Sequence, residues 1–249
     1  MFLSNNIVCI DSRLLNSSYD NGFSPAVATW YDNPKGGGTG GACGFDDKDM
    51  NAPPFNGLTA AGNQNLFKSG KGCGSCYEVK CTGNPLCSGN TVTVTITNEC
   101  PGACNDDPFH FDLSGKAFGS LAKNGQDDKL RNLGRLDIQF QRVACHYKVG
   151  IEITIDKGSN PWYLALAVEY VNGDGDVGSM QLLPSNSGPI SMQQSFGDTW
   201  KADLPSGAKG PYSIRLSTIE SGQTILVKDA IPANWAPGQR FLSSDNVKA

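Results

Sequence analysis

Cysteine placement constrains this chain more than any other feature. Eight of the nine cysteines (Cys43, Cys73, Cys76, Cys81, Cys87, Cys100, Cys104 and Cys145) fall within about a hundred residues, and none follows them. An even set confined to one half of a chain reads as a disulfide framework, which forms and persists in oxidising compartments. Cys9 stands apart. Cys73-Gly-Ser-Cys76 has the spacing of half a zinc site, but no second Cys-x-x-Cys or histidine pair completes it, so no metal is expected. A thioredoxin-like redox role fits less well, because a strand pattern rather than a helix follows Cys76. The chain thus divides into a stapled first half and a second half held by packing alone.

With 18% charged residues, 30 Gly and 14 Pro, the composition suits a loop-rich β protein rather than a helical bundle. Period-two alternation marks the strands. Tyr77 and Val79 alternate with Glu78 and Lys80; Val92, Val94 and Ile96 with threonines; Leu136, Ile138 and Phe140 with Asp137, Gln139 and Gln141. Two short helices are expected between them, one capped by Ser114 and stopped by Gly125, the other over 127–133 and stopped by Gly134. After Cys145, strands recur at 151–155, 163–171, 191–196, 199–204, 211–218 and 224–227, a spacing that suits a small sandwich. The expected organisation is a leader over 1–25, a first β domain over 26–148 and a second over 149–247, linked at 146–150.

The formal charge of −4 and the absence of any dense Lys/Arg run argue against a nucleic-acid partner. No run of 18 apolar residues is present to span a membrane. MFLSNNIVCI is a poor secretory signal, with no positive n-region and a broken apolar core. A framework that demands export therefore implies a truncated start, with Cys9 in a removed segment and Asn16 as a glycosylation site.

Five motifs carry a family resemblance: Thr29-Trp30-Tyr31, Gly40-Gly41-Ala42-Cys43-Gly44, Gly72-Cys73-Gly74-Ser75-Cys76-Tyr77-Glu78-Val79, His110-Phe111-Asp112-Leu113-Ser114 and Ile231-Pro232-Ala233-Asn234-Trp235. In this order, with this cysteine spacing, the chain resembles the β-expansins, which include the group-1 grass pollen allergens. The resemblance covers about Ala28 to Phe241. It implies a mainly all-β chain: a six-stranded double-psi β-barrel, similar to family-45 endoglucanases, then an immunoglobulin-like β-sandwich similar to a carbohydrate-binding module. It also implies the bridges Cys43–Cys73, Cys76–Cys145 and Cys81–Cys87. Cys100 and Cys104, additional to the pollen-allergen pattern, are left to each other, with a Pro-Gly turn between them.

Glycoside hydrolysis usually needs two carboxylates flanking the scissile bond. By its His110-Phe111-Asp112 context, Asp112 matches the proton donor of the family-45 enzymes. The second carboxylate is expected two residues after the tyrosine of the early strand, and Asn33 stands there. Asp32 follows Tyr31 directly and would face away from Thr29 and Tyr31, so it reads as a turn residue. Asn98 stands where pollen-type relatives carry Asp, and its neighbour Glu99 should point away from the groove. A degenerate groove of Thr29, Tyr31, Asn98, His110 and Asp112, without hydrolysis, is the expectation.

Flat aromatics are natural platforms for pyranose faces. Leu164, Leu166, Val168 and Tyr170 share the core parity, which turns Tyr163 outward with Ala165, Ala167 and Glu169. The resemblance implies binding through Tyr163, through Phe196 where the family has Trp, through Lys201 where Arg often occurs, and through Trp30 and Tyr31 in the groove. Trp200 and Trp235 read as core or domain-interface residues. Asn172-Gly-Asp-Gly-Asp176 resembles the start of a calcium loop, but Val177 occupies its required glycine position, and a hairpin turn fits better. Gly36–Gly41 lacks the Lys-Ser/Thr of a phosphate loop and instead lets backbone pass close to the groove.

The reading is a secreted, monomeric, cofactor-free protein that loosens plant cell walls by disrupting non-covalent contacts between cellulose and matrix glycans such as xylan. The alternatives are an endoglucanase or transglycosylase acting through Asp112, and a barwin-like polysaccharide-binding defence protein. Barwin-type chains lack a second domain, which counts against the last.

Overall fold

The computed structural model describes residues 22–45 and 50–248. Cys9, Asn16 and most of the expected leader lie outside them. Strand pairing begins within its last residues, where Ser24 and Pro25 pair with Phe140 and Gln139.

Six strands close the first unit into a barrel: β1 (Ser24–Tyr31), β2 (Thr59–Gly62), β3 (Cys76–Lys80), β4 (Val92–Glu99), β5 (His110–Ser114) and β6 (Leu136–Val143), in the order β1-β5-β2-β4-β3-β6. The β1–β5 and β2–β4 pairs are parallel and the others antiparallel. Closure leaves no free strand edge. Alternation decides what faces where. Ala28, Val79, Val94, Ile96, Phe111 and Leu113 fill the barrel and are almost fully buried, so Thr29, Tyr31, His110, Asp112 and Ser114 fall on the outer wall.

Helix α1 (Gln64–Phe67) follows β2. Helix α2 (Gly115–Ser120) starts where expected, the Ser114 hydroxyl accepting from the Ala117 amide at 3.0 Å. Helix α3 (Asp127–Arg131) is shorter than expected, since the chain leaves it at Asn132, ahead of the left-handed Gly134. All four expected bridges are present: Cys43–Cys73, Cys76–Cys145, Cys81–Cys87 and Cys100–Cys104.

The second unit is a sandwich of a four-stranded sheet, β10-β9-β13-β14, and a five-stranded sheet, β11-β12-β8-β7-β15. Its strands are β7 (Glu152–Ile155), β8 (Tyr163–Glu169), β9 (Val177–Pro184), β10 (Ile190–Ser191), β11 (Gln193–Phe196), β12 (Thr199–Asp203), β13 (Tyr212–Thr218), β14 (Thr224–Ile231) and β15 (Arg240–Leu242). Ile153, Leu164, Leu166 and Trp200 from one sheet meet Met180, Leu182, Ile214 and Val227 from the other.

Two sequence expectations fail between the units. Tyr170 was placed by parity in the sandwich core, but its φ of +64° breaks the alternation. Its ring packs instead with Phe55 and Tyr147, at centroid distances of 5.2 and 5.6 Å, in a cluster that also holds Phe45, Met50 and Phe67. The segment Asn172–Asp176 is no hairpin either, because β8 and β9 belong to different sheets. It docks on the barrel. Cys145 and Gly173 exchange backbone hydrogen bonds of 2.7 and 3.1 Å. The Arg142 guanidinium donates to Asp176 Oδ2 at 2.8 Å and to the Asp174 carbonyl at 2.7 Å. Gly175, at φ +78°, approaches so closely that a Cβ there would lie 2.3 Å from the Gly74 carbonyl oxygen.

Candidate functional site

Strand register assembles the groove. Asn98 on β4 lies beside Ala61 on β2, Ala61 beside Asp112 on β5, and Asp112 beside Thr29 on β1, so the four form one row across the barrel wall. Tyr31 follows in the next outward row, beside Ser114. The Thr29 hydroxyl donates to Asp112 Oδ1 at 2.6 Å, and its oxygen lies 2.8 Å from His110 Nε2. Burial pushes the Asp112 carboxyl up from its ordinary range, and the Thr29 hydroxyl and His110 pull part of that back. Its second oxygen has no hydrogen bond among the described residues and stays open to the groove. Asn98 is tied at both ends, its Oδ1 accepting from the Ala42 amide and its Nδ2 donating to Thr39 Oγ1, each at 3.0 Å. Gly38, at φ +73°, lies against Tyr31 where a Cβ would sit 2.1 Å from the phenolic oxygen, so only glycine lets this loop lie on that ring.

No second carboxylate joins this row. Asp32 is exposed, has a φ of +67°, and accepts from the Gly38 amide at 3.3 Å. It is a turn residue. Trp30 must be moved out of the groove. It faces the other side of β1, its ring 6.5 Å from Phe118 and its Nε1 donating to the Arg131 carbonyl at 3.0 Å. The alternation that put Thr29 and Tyr31 outward sends Trp30 in.

The outer face of the five-stranded sheet continues the surface. Lys201 lies beside Ala165, Asp203 beside Tyr163, and Thr199 lies between Phe196 and Ala167. Ala165 and Ala167 are buried rather than open, a low floor between longer side chains of β7 and β12. Glu169 is buried as well and accepts from Thr154 Oγ1 at 3.3 Å. Tyr163 and Phe196 do not form one contiguous platform. Four residues of strand and two strand spacings separate them, about 16 Å at 3.3 Å and 4.8 Å per step. Tyr163 and Lys201 border a hollow with Ile190, Ser191 and Gln193, while Phe196, 49% exposed, borders another with Gly44 and Phe45 of the barrel. Phe196 is therefore where the sandwich face meets the loop that carries Thr39 and Ala42, the partners of Asn98.

Comparison with known proteins decides the family. The chain is 50% identical over 238 residues to Expansin-B1 of Zea mays, covering 92% of this chain and 86% of that one. The chain belongs to the expansin family. It is likewise 48% identical to Putative expansin-B2 of Arabidopsis thaliana over 232 residues, covering 91% and 84%. Identity to Pollen allergen Phl p 1 of Phleum pratense is 46% over 229 residues, covering 89% and 84%. Residues 151–232 match the family described as Expansin C-terminal domain, and residues 59–140 match the one described as Lytic transglycolase. Among solved structures, a Clavibacter michiganensis expansin mutant in complex with cellohexaose superposes with a TM-score of 0.67 at 20% identity, covering 90% of this chain and 97% of that one. At that identity the likeness establishes the shared fold.

One exposed aromatic of this expansin went unremarked in the sequence. Trp162, at 65% exposure, sits in the turn where Asn160 and Tyr163 exchange backbone hydrogen bonds, immediately before the Tyr163 platform. Its signal is the run Asn160-Pro161-Trp162: a Trp inside a proline turn has no strand face to bury it. Trp200, by contrast, is buried in the sandwich, its Nε1 donating to Asp198 Oδ1 at 3.1 Å.

Proposed function

We propose that this expansin loosens plant cell walls by binding cellulose or a matrix glycan along the path from the Asp112 groove, past Phe196 and Lys201, to Tyr163 and Trp162, without cutting a glycosidic bond. The observation that carries the second half is the row Asn98–Ala61–Asp112–Thr29. Hydrolysis by either stereochemical route sets a second carboxylate roughly 5–9.5 Å from the acid. The neighbours of Asp112 in the row are an amide, a methyl and a hydroxyl. A groove with one carboxyl can hold sugar hydroxyls, and this row offers no second carboxylate, among the described residues, to activate water.

The four bridges fit action outside the cell, where they persist. We infer a monomer working in the wall, with residues 26–148 supplying the groove and 149–247 the aromatic face. Purified protein should extend isolated walls under load while releasing no reducing ends from cellulose or xylan. Sustained release that disappears in Asp112→Ala would establish an enzyme and defeat the non-hydrolytic reading.

A further inference from the structure

Behind the groove, five hydrogen bonds join charged groups from three parts of the barrel. Arg135, just before β6, grips Asp107 through both guanidinium nitrogens, at 2.9 and 3.1 Å. Asp107 Oδ2 lies 2.8 Å from His110 Nδ1. His110 Nε2 lies 2.8 Å from Thr29 Oγ1, which lies 2.6 Å from Asp112 Oδ1. His110 is 3% exposed, so these contacts fix its ring. We propose that Asp107 and Arg135 are positioning residues that lock His110 so that one proton is shared between His110 and Asp112 across the Thr29 hydroxyl, holding the second Asp112 oxygen as an acceptor toward the groove in either arrangement. The proposal rests on the reading that Asp112 faces the polysaccharide.

Hydrogen counting carries the argument. Arg135, then His110, hold the Asp107 carboxyl below its ordinary range, so it is an anion and can only accept. His110 Nδ1 must therefore carry a hydrogen. Thr29 has a single hydroxyl hydrogen for two neighbours, and two arrangements satisfy every contact. In one, Thr29 donates to an ionised Asp112, and Nε2–H of an imidazolium donates to Thr29. In the other, Thr29 donates to a bare Nε2, and a protonated Asp112 donates to Thr29. They interconvert when the Nε2 proton passes to the threonine oxygen as the threonine proton passes to the carboxylate, which neutralises both charges. Removing that proton altogether leaves two acceptors facing one hydrogen, at the cost of a buried hydrogen bond.

From β1 the pair faces Thr29 and, on the Asp112 side, the Tyr31 phenol, whose pKa burial and the Asp112 charge help to raise. From the end of β2, the Asn63 side chain donates to the Asp107 carbonyl at 2.9 Å. Asp106 and Asp137 act on Arg135. Asp112 is the carboxyl at the far end of the chain, and because its proton, when present, sits on the oxygen facing Thr29, its open oxygen accepts in both arrangements. A glycan hydroxyl can therefore donate to this oxygen whichever way the shared proton lies.

Nuclear magnetic resonance of the intact protein tests this directly. The chain has two histidines, so His146→Gln leaves His110 as the one imidazole in an ¹⁵N spectrum. Nδ1 is expected to carry the hydrogen of the neutral ring, with Nε2 bare. Asp107→Asn is expected to populate the opposite tautomer. Thr29→Val, which removes the hydroxyl at similar shape, should move the Asp112 carboxyl ¹³C midpoint up. A bare Nδ1 in the alkaline limit of the wild-type ring would overturn the proposal, as would identical Asp112 titrations in wild type, Asp107→Asn and Thr29→Val. The wild-type tautomer decides the matter even if a variant fails to fold. None of these readings involves wall extension or sugar binding, so the proposal and the functional reading fail separately.

Discussion

Trp162 and Tyr163 stand side by side at one end of the sandwich face, one 65% exposed in a turn and the other at the head of β8. Aromatic rings bind pyranose faces through apolar area, and such contacts are worth about 1 kcal/mol each beyond simple burial. Trp162→Ala and Tyr163→Ala should each weaken binding to insoluble cellulose by roughly fivefold, with circular dichroism unchanged. Phe196→Trp should tighten it, since a larger ring near the barrel covers more sugar. Pull-down isotherms on the three variants check this, and unchanged affinity in all of them would confine the site to the groove around Tyr31 and Asp112. At this scale alternation made the groove legible: Thr29 and Tyr31 outward, with Asp32 left to a turn. The same rule, applied one residue over, would have turned Trp30 inward. Trp162 was missed because it lies in a turn, where alternation says nothing.

The hairpin β11–β12 shows what a short element carries. It offers Phe196 to the groove side, docks on the barrel through the Asp198 amide donating to the Cys43 carbonyl at 3.0 Å, and buries the Asp198 side chain beneath Trp200. Burial pushes the Asp198 carboxyl well above its ordinary range. The Trp200 N–H pulls it partly back, while Asp176 and Glu169 push it further up. The folded state thus holds this proton more tightly than the unfolded chain does. Its contribution to stability is complete below about pH 4, the unfolded value, and is lost as pH rises toward the folded value. Asp198→Asn keeps an oxygen for Trp200 and cannot ionise. Its thermal midpoint should therefore gain on wild type as pH rises above about 4, each 1 kcal/mol moving a chain of this size by roughly 2–4 °C. Parallel melting profiles would contradict it. Elements with clean alternation, such as β4 and β6, were readable in advance. Strand β9 was not, because Gly178 and Ser179 break its pattern and Pro184 ends it; β15 was not, because three residues are too few to show a period.

Across the whole molecule, barrel and sandwich are joined as a core is joined, with Phe55, Tyr147 and Tyr170 in ring contact and Arg142 driven into the second unit. Nothing in the sequence displays this seam. Arg142 sits in an ordinary alternating strand, its partners lie more than 30 residues away, and Tyr170 reaches the seam only because its backbone turns left-handed. The Arg142 and Asp176 side chains are 11% and 1% exposed. Burial works against the charge on Arg142, but Tyr77, Asp176 and Glu220 outweigh it, and its pKa rises. Removing one member of such a pair leaves the other charge buried alone, a loss of about 3–5 kcal/mol, whereas replacing both with apolar groups is often close to neutral. Arg142→Met should therefore destabilise strongly, and Arg142→Met with Asp176→Leu should recover most of the loss. A double-mutant cycle by chemical denaturation measures the difference as a coupling energy. If the seam also holds the groove and the aromatic face in one line, Arg142→Met should lower cellulose affinity as well, although no residue on the binding path has changed. Equal destabilisation in the single and double variants would show that Arg142 acts through its ring contact with Tyr77, 5.3 Å from the centroid, and that the Asp176 bond contributes little.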